Sequence, residues 1–284
     1  MPGSLGGGAD IVISTLTPSI TAVQNSASGP VNAVSPDSFI AIYTSNIGTM
    51  SGGNLFPATS FQGIQVLVNG APAPLYSVDV TSSFSLINPV APSSLPSTGT
   101  ATINIQNSSG LSPNFALRLA PDDVGVFRIP DATHPNNAAA QIANTNWTIL
   151  PSSTAAFYNF PACTSSSSAS TSCAIHAKPG DSIVVYFTGG GLATPKGSPS
   201  GSPVATGSVA PVDGSVIYQT VQTPTLTIDG LPAAVQFSGV APGTAAEYQI
   251  NTVIPAAVRP GDSVPVVITF PNSSDTVTIA VQAP

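Results

Sequence analysis

The sequence predicts an all-β protein of two tandem antiparallel sandwiches. Three observations predict it. The residues that build exposed helices are almost absent, the apolar residues come in short runs divided by turn signals, and the second part of the chain repeats the pattern of the first.

Charged residues make up 6% of the 284 residues, against about 25% in an ordinary soluble domain. Glu247 is the only glutamate, while Val, Ile, Thr and Ser are abundant. Helices on a soluble surface draw on Glu, Lys and Arg, and β-branched residues favour strands. The 29 prolines and 25 glycines supply turns. Hydrophobic residues, at 42%, suffice for sizeable cores.

The apolar runs read as strands. FIAIY (39–43), IVVYF (183–187), TATINI (100–105) and VPVVITF (264–270) are the clearest. Asn69-Gly70 and Asp229-Gly230 suit type I′ hairpin turns, whose two central residues need positive φ.

The repeat is direct. PDSFIAIYT (36–44) matches GDSIVVYFT (180–188), and VLVNGAPAPL (66–75) matches LTIDGLPAAV (226–235). INPVAPSSLPSTG (87–99) matches INTVIPAAVRPG (250–261), and NSSGLSPNFALRLAP (107–121) matches NSSDTVTIAVQAP (272–284). The offset is 144 residues from Asp37 to Asp181 and 160 from Gly70 to Gly230. About sixteen extra residues therefore lie between these blocks, in the Pro/Gly/Ser-rich stretch 195–211, which reads as a loop insertion. The alignment makes Phe39 equivalent to Ile183, Val68 to Ile228 and Ile87 to Ile250, all expected in the cores. The expected divisions are an N-terminal extension over 1–17, a first sandwich over 18–120 and a second over 121–284.

Cys163 and Cys173 flank the spacer TSSSSASTS, which has no metal-site pattern. We expect them to be bonded, which implies an oxidising compartment. The leader MPGSLGGGAD lacks the basic start and apolar stretch of a signal peptide. Export is thus expected from composition and cysteines, not from a targeting signal.

At the blocks already quoted, the sequence resembles the uncharacterised C-terminal domain family abundant in Acidobacteria and named after Solibacter. The resemblance runs through VQNSAS (23–28), SPDSFIAIYTSNIG (35–48), VLVNGAPAPL (66–75), VGVF (124–127), KPGDSIVVYFTGGGLATP (178–195), AEYQIN (246–251) and DTVTIAVQ (275–282). It covers about residues 18–284. The cysteine loop and the N-terminal extension depart from it. The resemblance implies immunoglobulin-like sandwiches in a secreted bacterial protein, and it supplies no catalytic residues and no cofactor.

No residue pattern points to catalysis or metal binding. His134 and His176 have no ligand-like spacing around them, and Asp122-Asp123 lacks a D-x-D-x-D continuation, so a linking turn is expected there. Asp37, Asp181 and Asp262 precede strands, where Asp makes local turn bonds. G-x-S-x-G is absent, and Gly189-Gly190-Gly191 has no following GK[ST], so it reads as a turn. Tyr43, Tyr186, Tyr248 and Phe84 read as core, and Trp147 is the one aromatic singled out for ligand contact.

A net charge of -7 with five basic residues excludes nucleic-acid binding, which needs clustered Lys and Arg. It also excludes a basic membrane-surface helix, and no apolar run is long enough to span a bilayer. The expectation is a non-enzymatic extracellular or cell-surface protein with a structural or adhesive role. The alternative is a carbohydrate-binding or accessory module of a secreted enzyme system. Expected partners are further copies of the chain and surface glycans. Asp10, Ile11, Val12, Ile13, Ser14, Thr15 and Leu16 form an apolar stretch outside both repeats, suited to pairing with a neighbouring subunit's sheet edge and building fibres.

Overall fold

The computed structural model describes residues 16–30, 33–81 and 83–283, and it is nearly all β. The only α-helix among them is Ser152–Phe157. Of the segment expected to be exchanged, residues 10–15 lie outside the described residues. Leu16 is 59% exposed.

The strands form two pairs of sheets. In the N-terminal half, one sheet runs in the order Gly29–Pro30, Ser19–Asn25, Ile40–Ser45, Ser85–Pro89, Leu75–Val80, Met50–Gly53. Facing it are Gly99–Asn107, Gln65–Val68 and Ala71–Pro72, with Gly110–Leu111 and Phe115–Leu119 both on Gly99–Asn107. In the C-terminal half, the larger sheet runs Cys173–Ile175, Trp147–Ile149, Ala140–Ile142, Ser182–Thr188, Tyr248–Val253, Val235–Val240, Tyr218–Thr220, Ala193–Pro195. Its partner runs Leu231–Ala233, Thr225–Ile228, Gly261–Thr269, Ser274–Val281.

Each pair encloses its own core. Ile40, Ile42, Val78 and Ile87 meet Val66, Ile103 and Ile105 in the first. Ile183, Val185, Phe187 and Ile250 meet Leu226, Ile228, Val266 and Ile279 in the second. The alternation of buried and outward residues along these strands is what a sheet with one covered face requires.

The two halves share the central strand order, to which the C-terminal half adds Trp147–Ile149 and Cys173–Ile175 at one edge, and the hairpins at the repeat coincide. Asn69 and Gly70 have φ of 50° and 80°, and Asp229 and Gly230 have 53° and 76°. All four need the left-handed region, which Asn, Asp and Gly tolerate.

One expected equivalence is corrected. Ile42 pairs with Ile87, and Val185 pairs with Ile250. Ile40 therefore stands where Ile183 stands, and Phe39 matches Ser182. The amides agree: Asp37 N–H donates to the Ala91 carbonyl at 3.1 Å, and Gly180 N–H donates to the Ile254 carbonyl at 2.8 Å. Asp37 thus replaces Gly180, not Asp181, and both adopt positive φ, 55° and 91°. A one-residue slip turns a strand's side chains to the other face. Phe39 accordingly points out of the first core and into the seam between the halves.

Candidate functional site

That seam gathers more converging side chains than any sequence motif predicted. Phe39 lies 5.9 Å from Phe56, 5.3 Å from Tyr76 and 6.3 Å from Phe127 between ring centroids. Phe39, Phe56 and Tyr76 come from the N-terminal half, and Phe127, just after the short strand Gly125–Val126, from the other. The tilted and edge-on arrangements suit the ring quadrupoles. Val90 and Ala246 complete the cluster. Beside it opens a cleft of about 660 Å³, into which Asn54, Asn88, Thr244 and Glu247 also face.

Hydrogen bonds fix the two halves around the rings. Phe39 N–H donates to Thr188 Oγ1 at 2.9 Å, and that hydroxyl donates to the Ala246 carbonyl at 3.2 Å, all buried. Asn25 Nδ2 donates to the Asp123 carbonyl at 2.7 Å. Arg128 donates to the Ala27 carbonyl at 3.0 Å and pairs with Asp275 at 2.7 Å. The inserted loop adds a strap: Ser93 N–H donates to Thr206 Oγ1 at 2.7 Å, and Gly207 lies against Pro74. The linker is seated as well. Asp123 N–H donates to the Gly189 carbonyl at 2.8 Å. Gly189 and Gly191 have φ of 77° and 73°, which explains the glycine run.

Two carboxyls are pressed into this region without compensating cations. Asp37 is 2% exposed, its Oδ2 has no hydrogen-bond partner among the described residues, and burial pushes its pKa up to about 8. Burial also raises Glu247. Asp37 in turn helps to hold the buried Tyr248 hydroxyl protonated, after desolvation of that phenol itself. Tyr248 donates to the Gly191 carbonyl at 2.6 Å.

The other singled-out residues fall elsewhere. Cys163 and Cys173 are bonded, with Cα atoms 5.0 Å apart. Trp147 pairs in register with Cys173, and its indole N–H donates to the Ser168 carbonyl at 3.0 Å, so it fastens the disulfide loop. Asp122 takes a linking role: its carboxylate accepts from Asn272 Nδ2 at 2.7 Å and Ser273 Oγ at 2.5 Å. His176 lies 3.8 Å from Asp262.

Asp131, His134 and Ser153 do meet, although nothing in their spacing announced it. Ser153 Oγ is 3.1 Å from His134 Nδ1 and donates to Asp131 Oδ2 at 3.0 Å. Asp131 Oδ2 lies 3.3 Å from the same Nδ1. A serine–histidine–acid relay needs serine on one ring nitrogen and the acid on the other. Here both face Nδ1. The Thr154 hydroxyl above all, with the N–H groups of His134 and Thr133, holds the Asp131 carboxyl well below the usual range, which makes it a poor base. The cluster fastens the start of the short helix to the preceding turn.

No family model matches the sequence, and no curated protein does. Among solved structures, the chain is similar to the I9-I11 tandem from titin at 11% identity, covering 95% of this chain and 67% of that one, with a TM-score of 0.20. It is similar to the N-terminal part of the bacterial S-layer protein SbsC at 12% identity, covering 94% of this chain and 44% of that one, with a TM-score of 0.23. Domains 5-6 of the same S-layer protein match at 10% identity over 94% and 99%, with a TM-score of 0.24. At such scores the likeness carries no argument, and the fold stands on the strand order above.

Proposed function

We propose that the chain is an extracellular or cell-surface structural protein with no catalytic role of its own. The carrying observation is the seam. A buried aromatic cluster, hydrogen bonds across it and the strap of the inserted loop join the two halves into one unit, as a load-transmitting spacer requires. The Cys163–Cys173 bond supports an oxidising compartment, and the resemblance to the Solibacter-named domain family points the same way. In this reading the chain assembles head-to-tail through its N-terminal segment, with residues 10–16 adding a strand to a neighbour's sheet edge.

The test is immunogold electron microscopy of the source cells together with negative-stain imaging of purified protein. Gold at the envelope and ordered assemblies are expected. Cytoplasmic label with two free thiols refutes the surface assignment. A protein without residues 1–16 that still assembles refutes the strand.

A further inference from the structure

The strongest unassigned feature lies away from the seam, on the outward face of the larger C-terminal sheet. Along Ser182–Thr188 and Tyr248–Val253 the inward residues Val185, Phe187 and Ile250 are fully buried. The alternate positions carry Tyr186, Gln249 and Asn251, and Gln141 lies on the neighbouring strand. Together they floor a groove of about 700 Å³, walled by the turn 143–146 and by Ala169 and Ser170 of the disulfide loop.

The groove is rich in amides and holds no charged side chain, in a chain of net charge -7. Tyr186 OH donates to Gln141 Oε1 at 3.0 Å, and Gln249 Nε2 donates to Asn251 Oδ1 at 2.9 Å. These bonds orient the amides. They leave Gln141 Nε2 and Asn251 Nδ2 as donors, and Gln249 Oε1 as an acceptor, without partners among the described residues. The wall is fixed too: Asn146 Nδ2 donates to the Ser170 carbonyl at 3.0 Å, beside the Trp147–Ser168 bond.

The duplication provides an internal control. The equivalents of Tyr186, Gln249 and Asn251 are Tyr43, Leu86 and Asn88. In the first half the ring of Phe84 packs edge-on against Tyr43 at 6.3 Å. Asn88 spends its amide on Ser26 Oγ at 2.9 Å and accepts from Ser77 at 3.1 Å. The fold therefore does not require free amides on this face.

We infer that this groove binds a neutral oligosaccharide. Vicinal hydroxyls both donate and accept, as oriented Asn and Gln amides do. The half-buried Tyr186 ring offers an apolar surface for a sugar's C–H face. No charged side chain lines the groove to pair with an ion, and the nearby Glu247 carboxylate disfavours an anion. A peptide adding as a strand would need unpaired backbone, but both central strands are paired on both sides. The inference does not rest on the surface assignment.

The experiment is affinity electrophoresis of the purified, disulfide-bonded protein in gels containing hydroxyethyl cellulose, xylan, mannan, dextran or polygalacturonate. Retardation by at least one of the four neutral polymers is expected. Gln249→Leu, which installs the residue of the first half, should weaken it at least about tenfold, as should Asn251→Ser, through loss of one or two hydrogen bonds. Gln106→Leu, on the exposed surface of the first half, should leave it unchanged. Circular dichroism establishes that each variant is folded. No retardation by any neutral polymer overturns the inference, as does retardation by polygalacturonate alone. Undiminished binding by both folded groove variants also overturns it. All readings use purified protein, so the localisation result stands or falls separately.

Discussion

Asp37 offers the sharpest test of the seam. Its folded pKa is raised from 3.8 to about 8 by burial. Below 3.8 both folded and unfolded chains hold the proton, and the group costs nothing. As pH rises, the unfolded chain releases the proton while the folded chain keeps it, so stability falls until the pH passes the folded value. Each unit is worth up to about 1.4 kcal/mol. From pH 5 to 8 the loss has a ceiling of about 4 kcal/mol, and local reorganisation lowers it to roughly 2–4 kcal/mol. Asn fits the same space and tolerates the positive φ. Asp37→Asn should therefore match the parent only below about pH 4, and its advantage should widen by about 2–4 kcal/mol between pH 5 and pH 8, a widening of roughly 10 °C in the Tm gap. Asp123, raised to about 6 chiefly by burial, and Glu247 slope the same way, but both are present in either protein and cancel in the difference. Calorimetry at pH 5, 6, 7 and 8 measures it. A difference that stays flat with pH refutes the buried, uncompensated carboxyl.

Three further outcomes follow from the packing. Ile87→Ala and Ile250→Ala, both at fully buried equivalent positions, should each cost about 2–5 kcal/mol in denaturant unfolding. Thr188→Val strands the Phe39 N–H in the seam, and a loss of about 1–3 kcal/mol should appear with faster proteolysis at residues 120–123. Replacing both Cys163 and Cys173 with Ser should lower stability by about 2–3 kcal/mol, and the untreated protein should show no free thiol after denaturation.

Much of the fold was legible because the duplication repeats local rules. Asn69-Gly70 and Asp229-Gly230 announce their turns by chemistry alone. The register of the first long strand was not legible. The shared Asp-Ser pairs Asp37-Ser38 with Asp181-Ser182, yet Asp37 occupies the place of a glycine, which it can because Asp tolerates the left-handed region. Identity of letters thus outweighed equivalence of backbone. The sequence places Phe39 in the core for the same reason, and nothing in its own strand names Phe127 as a partner. Phe56, Tyr76, Ser153 and the groove amides were likewise invisible. Their roles depend on which distant strands meet, and alternation shows only that a residue faces outward.

The seam also bears on assembly. Phe39 opens its strand, and Thr188 closes the equivalent strand of the other half, so the halves meet head to tail. Such a contact, repeated between chains, generates an open filament. The opposite ends of the two strands carry Ser182 where the seam has Phe39, and Ser45 where it has Thr188. A serine supplies neither the ring nor its packing, so these two ends do not reproduce the seam residues. Restoring the seam residues at both ends with Ser45→Thr and Ser182→Phe should raise self-association, seen as concentration-dependent larger species in sedimentation velocity. Because Ser45 is half-buried and Ser182 exposed, neither change disturbs a core. A doubly substituted protein that sediments as its parent does at every concentration would show that the linker and the strap of the inserted loop, rather than the end residues, hold the two halves together.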